Sequence, residues 1–311
     1  MHTHINLSRC NFIAITATIL ILSSMHGRAS DAVNVFACEP EWAALAKEIG
    51  GERVKTFSAT HAAQDPHHIR ARPSLLSKVR RADLVFCSGA GLEVGWLPIL
   101  LERAPRGVQP GTAGYLMAAD HVAVIEKPVV VDRSLGDLHP EGNPHVHLKP
   151  ENILILARKV KERLLILDPP GSDYYENKLK NFTISWSSAT EKWQKIIKPW
   201  KNKSVVVHHK FWSYFLGWSG LREVGTLESK PGISPSVKHL QALTQKVRKT
   251  NVVAILRTTY DHDGPSEWLS SRTNIPVVVL PATVDRNAKP GALVAYFDQL
   301  LSLLETKVGR L

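Results

Sequence analysis

The feature that most restricts the fold of this chain is an alternation of short apolar runs with amphipathic segments, which occurs twice along the sequence. The first series predicts strands at 33–37, 54–58 and 82–87 and helices at 41–49, 73–81 and 92–103. The second predicts strands at 204–207, 223–227, 252–256 and 277–280 and helices at 211–216, 236–250, 266–273 and 293–305. Strands that alternate with helices form parallel sheets covered by helices. The sequence therefore predicts two Rossmann-like α/β lobes with a cleft between them.

A long segment without glycine or proline separates the two series. It runs from residue 172 to 198 and follows another helical pattern at 150–167. Its aromatic and apolar residues recur at helical spacing, which predicts one continuous helix of about 40 Å with an apolar packing face. The predicted organisation is an N-terminal lobe at 31–171, a rigid connecting helix at 172–199 and a C-terminal lobe at 200–311.

Residues 1–30 have the pattern of a secretory signal peptide. An apolar run at 13–22 follows Arg9, and small residues come after it, so we expect cleavage near Ala29 or Ser30 and a periplasmic protein. The run is too short to span a bilayer, and no later stretch approaches the roughly 18 apolar residues that a membrane helix needs. Cys10 lacks the small-residue context of a lipid-anchored precursor. A retained, uncleaved anchor is the alternative.

The distribution of charge along the chain bears on whether the protein binds nucleic acid. The formal net charge is +11, but lysine and arginine are dispersed along the sequence. The basic runs at 78–81 and 159–163 have helical spacing and no interleaved aromatic residues. Such runs are typical of a solvated helix face, so we expect no nucleic-acid partner. A hydrophobic content of 44% is normal for a globular protein with a substantial core.

Two cysteines remain after residue 30, and each ends a predicted strand. They are Cys38 and Cys87. If the two strands are neighbours, a disulfide between them is geometrically plausible, and an exported protein permits it. Two buried free thiols are the alternative, and a third is that the sulfurs serve as soft metal ligands.

Three histidine phrases, far apart in the chain, predict a divided metal site. His67 and His145 each follow a proline, which fixes its own φ and favours extended backbone before it, so each imidazole projects from a stiff turn. His209 follows a run of β-branched residues, and ligands of parallel α/β proteins gather where buried strands end. Three neutral imidazoles at one point would suit Zn²⁺. The neighbouring histidines His68, His147 and His208 are alternative ligands, outer partners of the ligands, or exposed residues.

A set of short motifs, in order along the chain, resembles a known family. The motifs are Gln64-Asp65-Pro66-His67, Ala82-Asp83-Leu84-Val85, Gly91-Leu92-Glu93, the run from Asn143 to Pro150, Leu167-Asp168-Pro169 and the run from His209 to Phe215. Together they are similar to the zinc- and manganese-binding periplasmic substrate-binding proteins of ABC transporters, the cluster A-I type. The resemblance covers almost all of the chain after the signal. It implies two α/β lobes bridged by one long helix, with the metal buried at the lobe interface.

The resemblance implies a ligand for three of the four positions of the family's metal site. In the family, the first two histidines usually stand in Asp-Pro-His motifs. His67 and His145 match these two histidines, and His209 matches the third. Manganese-type members typically have glutamate at that third position, so histidine there favours the zinc-like branch. Imidazole suits zinc, whereas harder oxygen ligands suit manganese.

The fourth ligand departs from the family pattern. Members often supply an aspartate in the last strand-to-helix loop, but Val284 stands at that place here and Asp285 follows it. We expect Asp285 to take over after a shift of one residue. The alternatives are Asp261, Asp263, Glu93, His147 and His208. The long acidic, histidine-rich insertion of many zinc members is also missing, and only His139 and Glu141 suggest it.

The resulting prediction is a monomeric binding protein, not an enzyme. It would capture Zn²⁺ and deliver it to a membrane permease driven by a cytoplasmic ATPase. A manganese-binding member or an adhesin of the same family is the first alternative. A secreted zinc hydrolase is the second, but the sequence has neither a His-Glu-x-x-His run nor a Gly-x-Ser-x-Gly turn.

Overall fold

The first series of strands forms a four-stranded parallel sheet. In the computed structural model, which describes residues 32–129, 136 and 139–308, the strand order is β2-β1-β3-β4. The strands are β1 (Val33–Ala37), β2 (Val54–Ser58), β3 (Leu84–Cys87) and β4 (Tyr115–Met117). The chain leaves β1 to one side for β2 and then crosses to the other side for β3. That reversal opens a crevice at the carboxyl ends of β1 and β3.

The second series forms a sheet of the same kind. Its strand order is β6-β5-β7-β8, and all of its pairings are parallel. The strands are β5 (Ser204–Val207), β6 (Arg222–Thr226), β7 (Val252–Thr258) and β8 (Val277–Leu280). The order repeats that of the first sheet, so the reversal falls between β5 and β7. The prediction of two α/β lobes is confirmed.

Helices cover both sheets, and one long helix joins the two halves. The helices of the first half are α1 (Pro40–Gly50), α2 (Pro73–Val79), α3 (Leu97–Leu101) and α4 (Pro150–Leu167). The joining helix is α5 (Ser172–Ile197), with 26 residues. The helices of the second half are α6 (Ser213–Ser219), α7 (Val237–Arg248), α8 (Gly264–Thr273) and α9 (Ala292–Val308). We propose 31–171, 172–199 and 200–311 as the limits of the first lobe, the connecting helix and the second lobe.

Helix α5 is held by its aromatic face, as the spacing predicted. Tyr175, Phe182, Trp186 and Trp193 are all buried. The indole N–H of Trp186 also donates a hydrogen bond of 3.0 Å to the carbonyl of Pro150, so this buried donor is satisfied. One continuous hydrophobic core contains residues of both sheets together with this face of α5. The two lobes therefore share packing along the helix.

Two elements of the first lobe differ from the prediction. Strand β4 was missed, because the three residues Tyr115–Met117 follow a turn-rich stretch and are too few to show a pattern. The helix predicted at 92–103 is limited to Leu97–Leu101. Residues 92–96 form turns instead, in which the carboxylate of Glu93 accepts hydrogen bonds from the backbone N–H groups of Ser88 and Gly89.

A disulfide joins Cys38 and Cys87 at the ends of β1 and β3, with Cα atoms 4.8 Å apart. These strands are neighbours in the sheet, as the disulfide required. The predicted signal peptide at 1–30 lies outside the described residues. Among the helices that the structure describes, none combines the length and the apolar character needed to cross a membrane.

Candidate metal centre

His67 lies in the loop after β2, in a short 3-10 helix, Pro66–His68. Asp65 caps this turn by accepting a hydrogen bond of 2.9 Å from the backbone N–H of His67. The same carboxylate oxygen lies 2.6 Å from Nδ1 of the His67 ring. Nδ1 therefore carries the ring proton and donates it to Asp65, which leaves the lone pair on Nε2. The Asp-Pro-His motif thus fixes both the position and the tautomer of His67.

His145 lies immediately before the short 3-10 helix Val146–Leu148. The side-chain oxygen of Asn143 accepts a hydrogen bond of 3.0 Å from the backbone N–H of His145, which sets the turn. The side chain of His145 is buried, with 2% of the residue exposed, and its Nε2 has no hydrogen-bond partner. A buried polar atom without a partner is costly unless a ligand satisfies it. Nε2 of His145 is therefore available as a metal donor.

His209 comes from the second lobe, two residues after β5 ends. Its Nδ1 lies 2.8 Å from Oε2 of Glu228, a residue in the loop after β6. Glu228 thus does for His209 what Asp65 does for His67, because a carboxylate on Nδ1 directs the lone pair of Nε2 outward. The sequence reasoning did not single out Glu228. Its position just beyond the neighbouring strand was the available signal.

The structure brings these three histidines together from both lobes. One ligand atom from each of His67, His145 and His209 lies within 4.8 Å of the other two. Their ring centroids are separated by 5.8 to 6.1 Å. Nitrogens bound to one Zn²⁺ at about 2.0–2.1 Å in a tetrahedron are about 3.3 Å apart, so a small side-chain adjustment would let all three reach one ion. The three imidazoles form a candidate metal site.

The environment of these rings favours neutral imidazole at His145. Burial, followed by the nearby His67 and His209, holds the pKa of His145 well below its ordinary value. The ring of Phe211 packs against it with centroids 4.2 Å apart. Burial also lowers the pKa of His209, but the hydrogen bond and charge of Glu228 outweigh it, so the pKa of His209 is raised. A neutral imidazole is the form that binds a metal.

A fourth histidine lies beside the three, and the sequence reasoning did not choose it as a ligand. Nε2 of His139 is 3.0 Å from Nε2 of His67, and their ring centroids are 5.0 Å apart. Burial, followed by His67 and His209, lowers the pKa of His139 to about 3. The signal in the sequence was weak: one histidine before Pro140, in a loop region rich in glycine and proline.

The structure does not bring Asp285 to the histidine group. Its side chain is exposed and accepts a hydrogen bond of 2.8 Å from the backbone N–H of Asn287. The preceding residue, Val284, is buried in the core. This turn keeps the valine inside the protein and directs the carboxylate of Asp285 into a local contact at the surface.

The carboxylate alternatives are engaged elsewhere. Asp261 accepts a hydrogen bond of 2.6 Å from the backbone N–H of Thr258. Asp263 is exposed beside His262. Glu93 is buried near the disulfide and accepts hydrogen bonds from two backbone N–H groups of the loop after β3. None of the three belongs to the histidine group.

The two histidine alternatives, His147 and His208, contact other groups. Nδ1 of His147 lies 3.2 Å from a carboxylate oxygen of Glu41, and its Nε2 is 3.1 Å from the carbonyl of Ala282. Nε2 of His208 lies 3.8 Å from Glu228. Both residues are buried. His68 is exposed.

Two α/β lobes joined by a long helix, with three imidazoles meeting between them, define a metal-binding protein of the extracytoplasmic solute-binding class. Comparison with known proteins agrees. Residues 35–307 match a model of the family described as zinc-uptake complex component A, periplasmic, or ZnuA. The chain belongs to this family. Its members are metal-binding, substrate-binding proteins of ABC transporters, as the sequence motifs predicted.

Individual relatives belong to the same class of substrate-binding proteins. The chain is 26% identical over 274 residues to the manganese ABC transporter substrate-binding lipoprotein PsaA of Streptococcus anginosus, covering 86% of this chain and 85% of the relative. It is 28% identical over 255 residues to the metal ABC transporter substrate-binding lipoprotein ScbA of Streptococcus cristatus, covering 80% and 79%. A crystal structure of ZnuA shares the fold with a TM-score of 0.73 at 21% identity, over 90% of this chain and all of that one.

Membership of this class states the general role of the chain. A substrate-binding protein of an ABC transporter works outside the cytoplasm with a membrane permease and its ATPase. Its relatives bind a solute and pass it on, which agrees with the prediction that the chain is not an enzyme. The arrangement of histidines supplies the chemistry for a metal solute.

Proposed function

We propose that this chain captures Zn²⁺ outside the cytoplasm and delivers it to the permease of an ABC importer. The observation that carries the proposal is the convergence of His67, His145 and His209, one ligand nitrogen from each within 4.8 Å of the others. The metal would be cargo, held between the two lobes by imidazole nitrogens. Outer carboxylates on two of the rings, Asp65 and Glu228, raise the basicity of those ligands.

The choice of zinc over manganese follows from the ligand type. Several relatives are named for manganese, so a manganese-binding role, or an adhesin role in the same family, is the rival proposal. Manganese favours carboxylate, carbonyl and water oxygens, whereas imidazole suits zinc. Within the described residues, no carboxylate joins the three-histidine group. The site therefore supports zinc.

We also propose that the chain is exported to the periplasm, with removal of residues 1–30, and acts there as a monomer. The sequence pattern of those residues supports export. The disulfide between Cys38 and Cys87 adds support, because structural disulfides persist in oxidising compartments outside the cytoplasm.

Replacing each of the three histidines by alanine tests the proposal. His67→Ala, His145→Ala and His209→Ala should each weaken zinc binding by at least about tenfold, because each removes a direct ligand from a site where even outer partners contribute about 10–100-fold. Competition with a chromophoric chelator measures the affinity. His68→Ala is the matched control, since this exposed neighbour of His67 lies in the same turn.

Near-native zinc affinity in all three alanine variants would remove the assignment. A larger loss in His68→Ala than in His67→Ala would show that the register of the first histidine pair is shifted by one residue. Far-ultraviolet circular dichroism of each variant separates lost binding from lost folding.

A further inference from the structure

We infer that His139 is the fourth metal ligand, which makes the site one of four imidazoles. This inference rests on the proposed function and names the group that completes its coordination. A closed zinc site takes four ligands, and the three converging histidines leave one position to fill. The expected donor, Asp285, makes a local turn contact at the surface instead.

The distance between two ring nitrogens carries the inference. Nε2 of His139 lies 3.0 Å from Nε2 of His67, close to the separation of about 3.3 Å between two nitrogens on one tetrahedral zinc. Asp65 already accepts the ring proton of His67 at Nδ1, so Nε2 of His67 presents a lone pair. Without metal, His139 satisfies that lone pair by donating from its own Nε2. His139 lies outside the group formed by the other three ligand atoms, so with metal its ring would turn toward that group. Its ring proton would move from Nε2 to Nδ1, which leaves a lone pair on both Nε2 atoms for the same ion.

The backbone after His139 forms a turn that leads directly to His145. The N–H of Gly142 donates a hydrogen bond of 3.0 Å to the carbonyl of His139, closing a turn. The next residue, Asn143, donates its backbone N–H to the carbonyl of Ile125 at 2.8 Å, and its side chain sets the turn of His145. His139 is therefore positioned through the same short segment that positions His145.

Gly91, in the loop after β3, lies beside the ring of His139. Gly91 has φ of +82°, and a Cβ built there would lie 3.9 Å from Nδ1 of His139. The loop after β3 therefore lies beside the Nδ1 side of the ring at an ordinary contact distance, while Nε2 lies 3.0 Å from Nε2 of His67. The ring is thus held between the loop and the other histidines.

A ligand set of four neutral nitrogens has a consequence for selectivity. Removing the usual carboxylate from the coordination shell disfavours the hard cation Mn²⁺ more than Zn²⁺. The two carboxylates that balance the charge of the ion, Asp65 and Glu228, would act through the histidine rings rather than by contact with the metal. His139 would therefore contribute to preference for zinc as well as to affinity.

Zinc competition titrations of His139→Ala, His139→Gln and Asp285→Asn test the inference. Both His139 variants should bind zinc at least about tenfold more weakly than the unsubstituted protein, because a direct ligand is lost. Asp285→Asn, which keeps the size of the side chain, should bind as the unsubstituted protein does. Replacement of zinc by Co²⁺ gives a second readout, and the visible absorption bands of the tetrahedral cobalt site should shift in both His139 variants.

Unchanged zinc affinity and unchanged cobalt bands in both His139 variants would overturn the inference, and so would a loss confined to Asp285→Asn. His67→Ala, measured in parallel, distinguishes the failure of this inference from that of the proposed function. If His67→Ala loses zinc while the His139 variants keep it, only the fourth ligand is wrong. If none of them loses zinc, the three-histidine site itself fails.

Discussion

At the scale of single residues, two carboxylates determine how the histidines present their nitrogens. Asp65 holds Nδ1 of His67 at 2.6 Å, and Glu228 holds Nδ1 of His209 at 2.8 Å. Such partners fix the tautomer and the ring orientation of a metal ligand, and they increase its basicity. Oε2 of Glu228 also accepts a hydrogen bond of 2.9 Å from the backbone N–H of Gly232, which keeps the carboxylate in place.

Glu228→Gln should weaken zinc binding by about tenfold, since the amide oxygen can still accept the His209 proton but no longer carries a charge. Glu267→Gln is the matched control, because this exposed residue lies in the first turn of α8. The measurement is a chelator competition titration. Equal affinities for the two variants would contradict the role assigned to Glu228.

Residues whose constraint is local could be predicted from the sequence, and those whose constraint comes from the fold could not. Proline turns and a strand end mark His67, His145 and His209 in the sequence itself. His139 lies 72 positions from His67, the ring it contacts, and only the path of the loop brings the two together. Glu228 was missed for the same reason, because its pairing with His209 depends on the neighbouring strand β6.

At the scale of elements, helix α5 packs into the core through an aromatic face. Trp186 is fully buried and its ring packs on Trp193 and Phe297. The helical period of these aromatic residues predicted both the helix and its buried face. The helix predicted at 92–103 was wrong over its first turns because the carboxylate of Glu93 accepts backbone N–H groups of the preceding loop.

Trp186→Ala should lower the free energy of unfolding by about 3–5 kcal/mol, because it leaves a large cavity in the core shared by the two lobes. Ile184→Ala on the same helix is the matched control. Ile184 is 62% exposed, so its change should stay within about 0.5 kcal/mol. Urea unfolding followed by tryptophan fluorescence or circular dichroism measures both, and similar losses in the two variants would contradict the packing role.

A pair of buried carboxyl groups lies between α1 and the loop after β3. Glu39 and Glu93 are both buried, and Oε1 of Glu39 has no hydrogen-bond partner. Burial, followed by the charge of Glu93, raises the pKa of Glu39 well above its ordinary value. Burial likewise raises the pKa of Glu93 to about 7, although backbone N–H groups oppose the shift. The folded protein therefore holds protons that the unfolded chain releases.

This pair predicts a loss of stability as pH rises. Because the folded-state pKa values are raised, stability falls from the ordinary carboxyl pKa of 4.5 through the folded value of about 7. Glu39→Gln removes one charge of the pair, so the loss between pH 5 and pH 8 should shrink by at least about 1 kcal/mol. Urea unfolding of the metal-free protein measures it, with Glu267→Gln as control. An unchanged pH dependence of stability in Glu39→Gln would contradict the claim that the Glu39–Glu93 pair causes this loss.

At the scale of the whole molecule, hydrogen bonds between the lobes limit how far they can separate. Thr283 donates to Glu41, and Nε of Arg286 donates to the carbonyl of Thr60 at 3.0 Å. In addition, the hydroxyl of Tyr214 donates to the carbonyl of Asn143 at 2.9 Å. With the shared core along α5, these contacts favour small local adjustments over a wide hinge motion. The alternation of elements predicted both lobes, but their contacts depend on side chains far apart in sequence.

Spin labels on the two lobes should report little movement when zinc binds. Ser77 on α2 and Ser271 on α8 are both exposed and suit substitution by cysteine for labelling. The distance between the labels should change by less than about 2 Å between the metal-free and zinc-loaded protein. A shift of many ångströms, measured by pulsed electron paramagnetic resonance, would show that the lobes close as rigid bodies.

The identity of the cargo is decided by a competition titration of the metal-free protein with Zn²⁺ and Mn²⁺ against the same chelator. With imidazole nitrogens from both lobes as ligands, the protein should bind one equivalent of zinc, and manganese in excess should not displace it. Binding of manganese as tightly as zinc, or no stoichiometric binding of zinc, would contradict the proposed function.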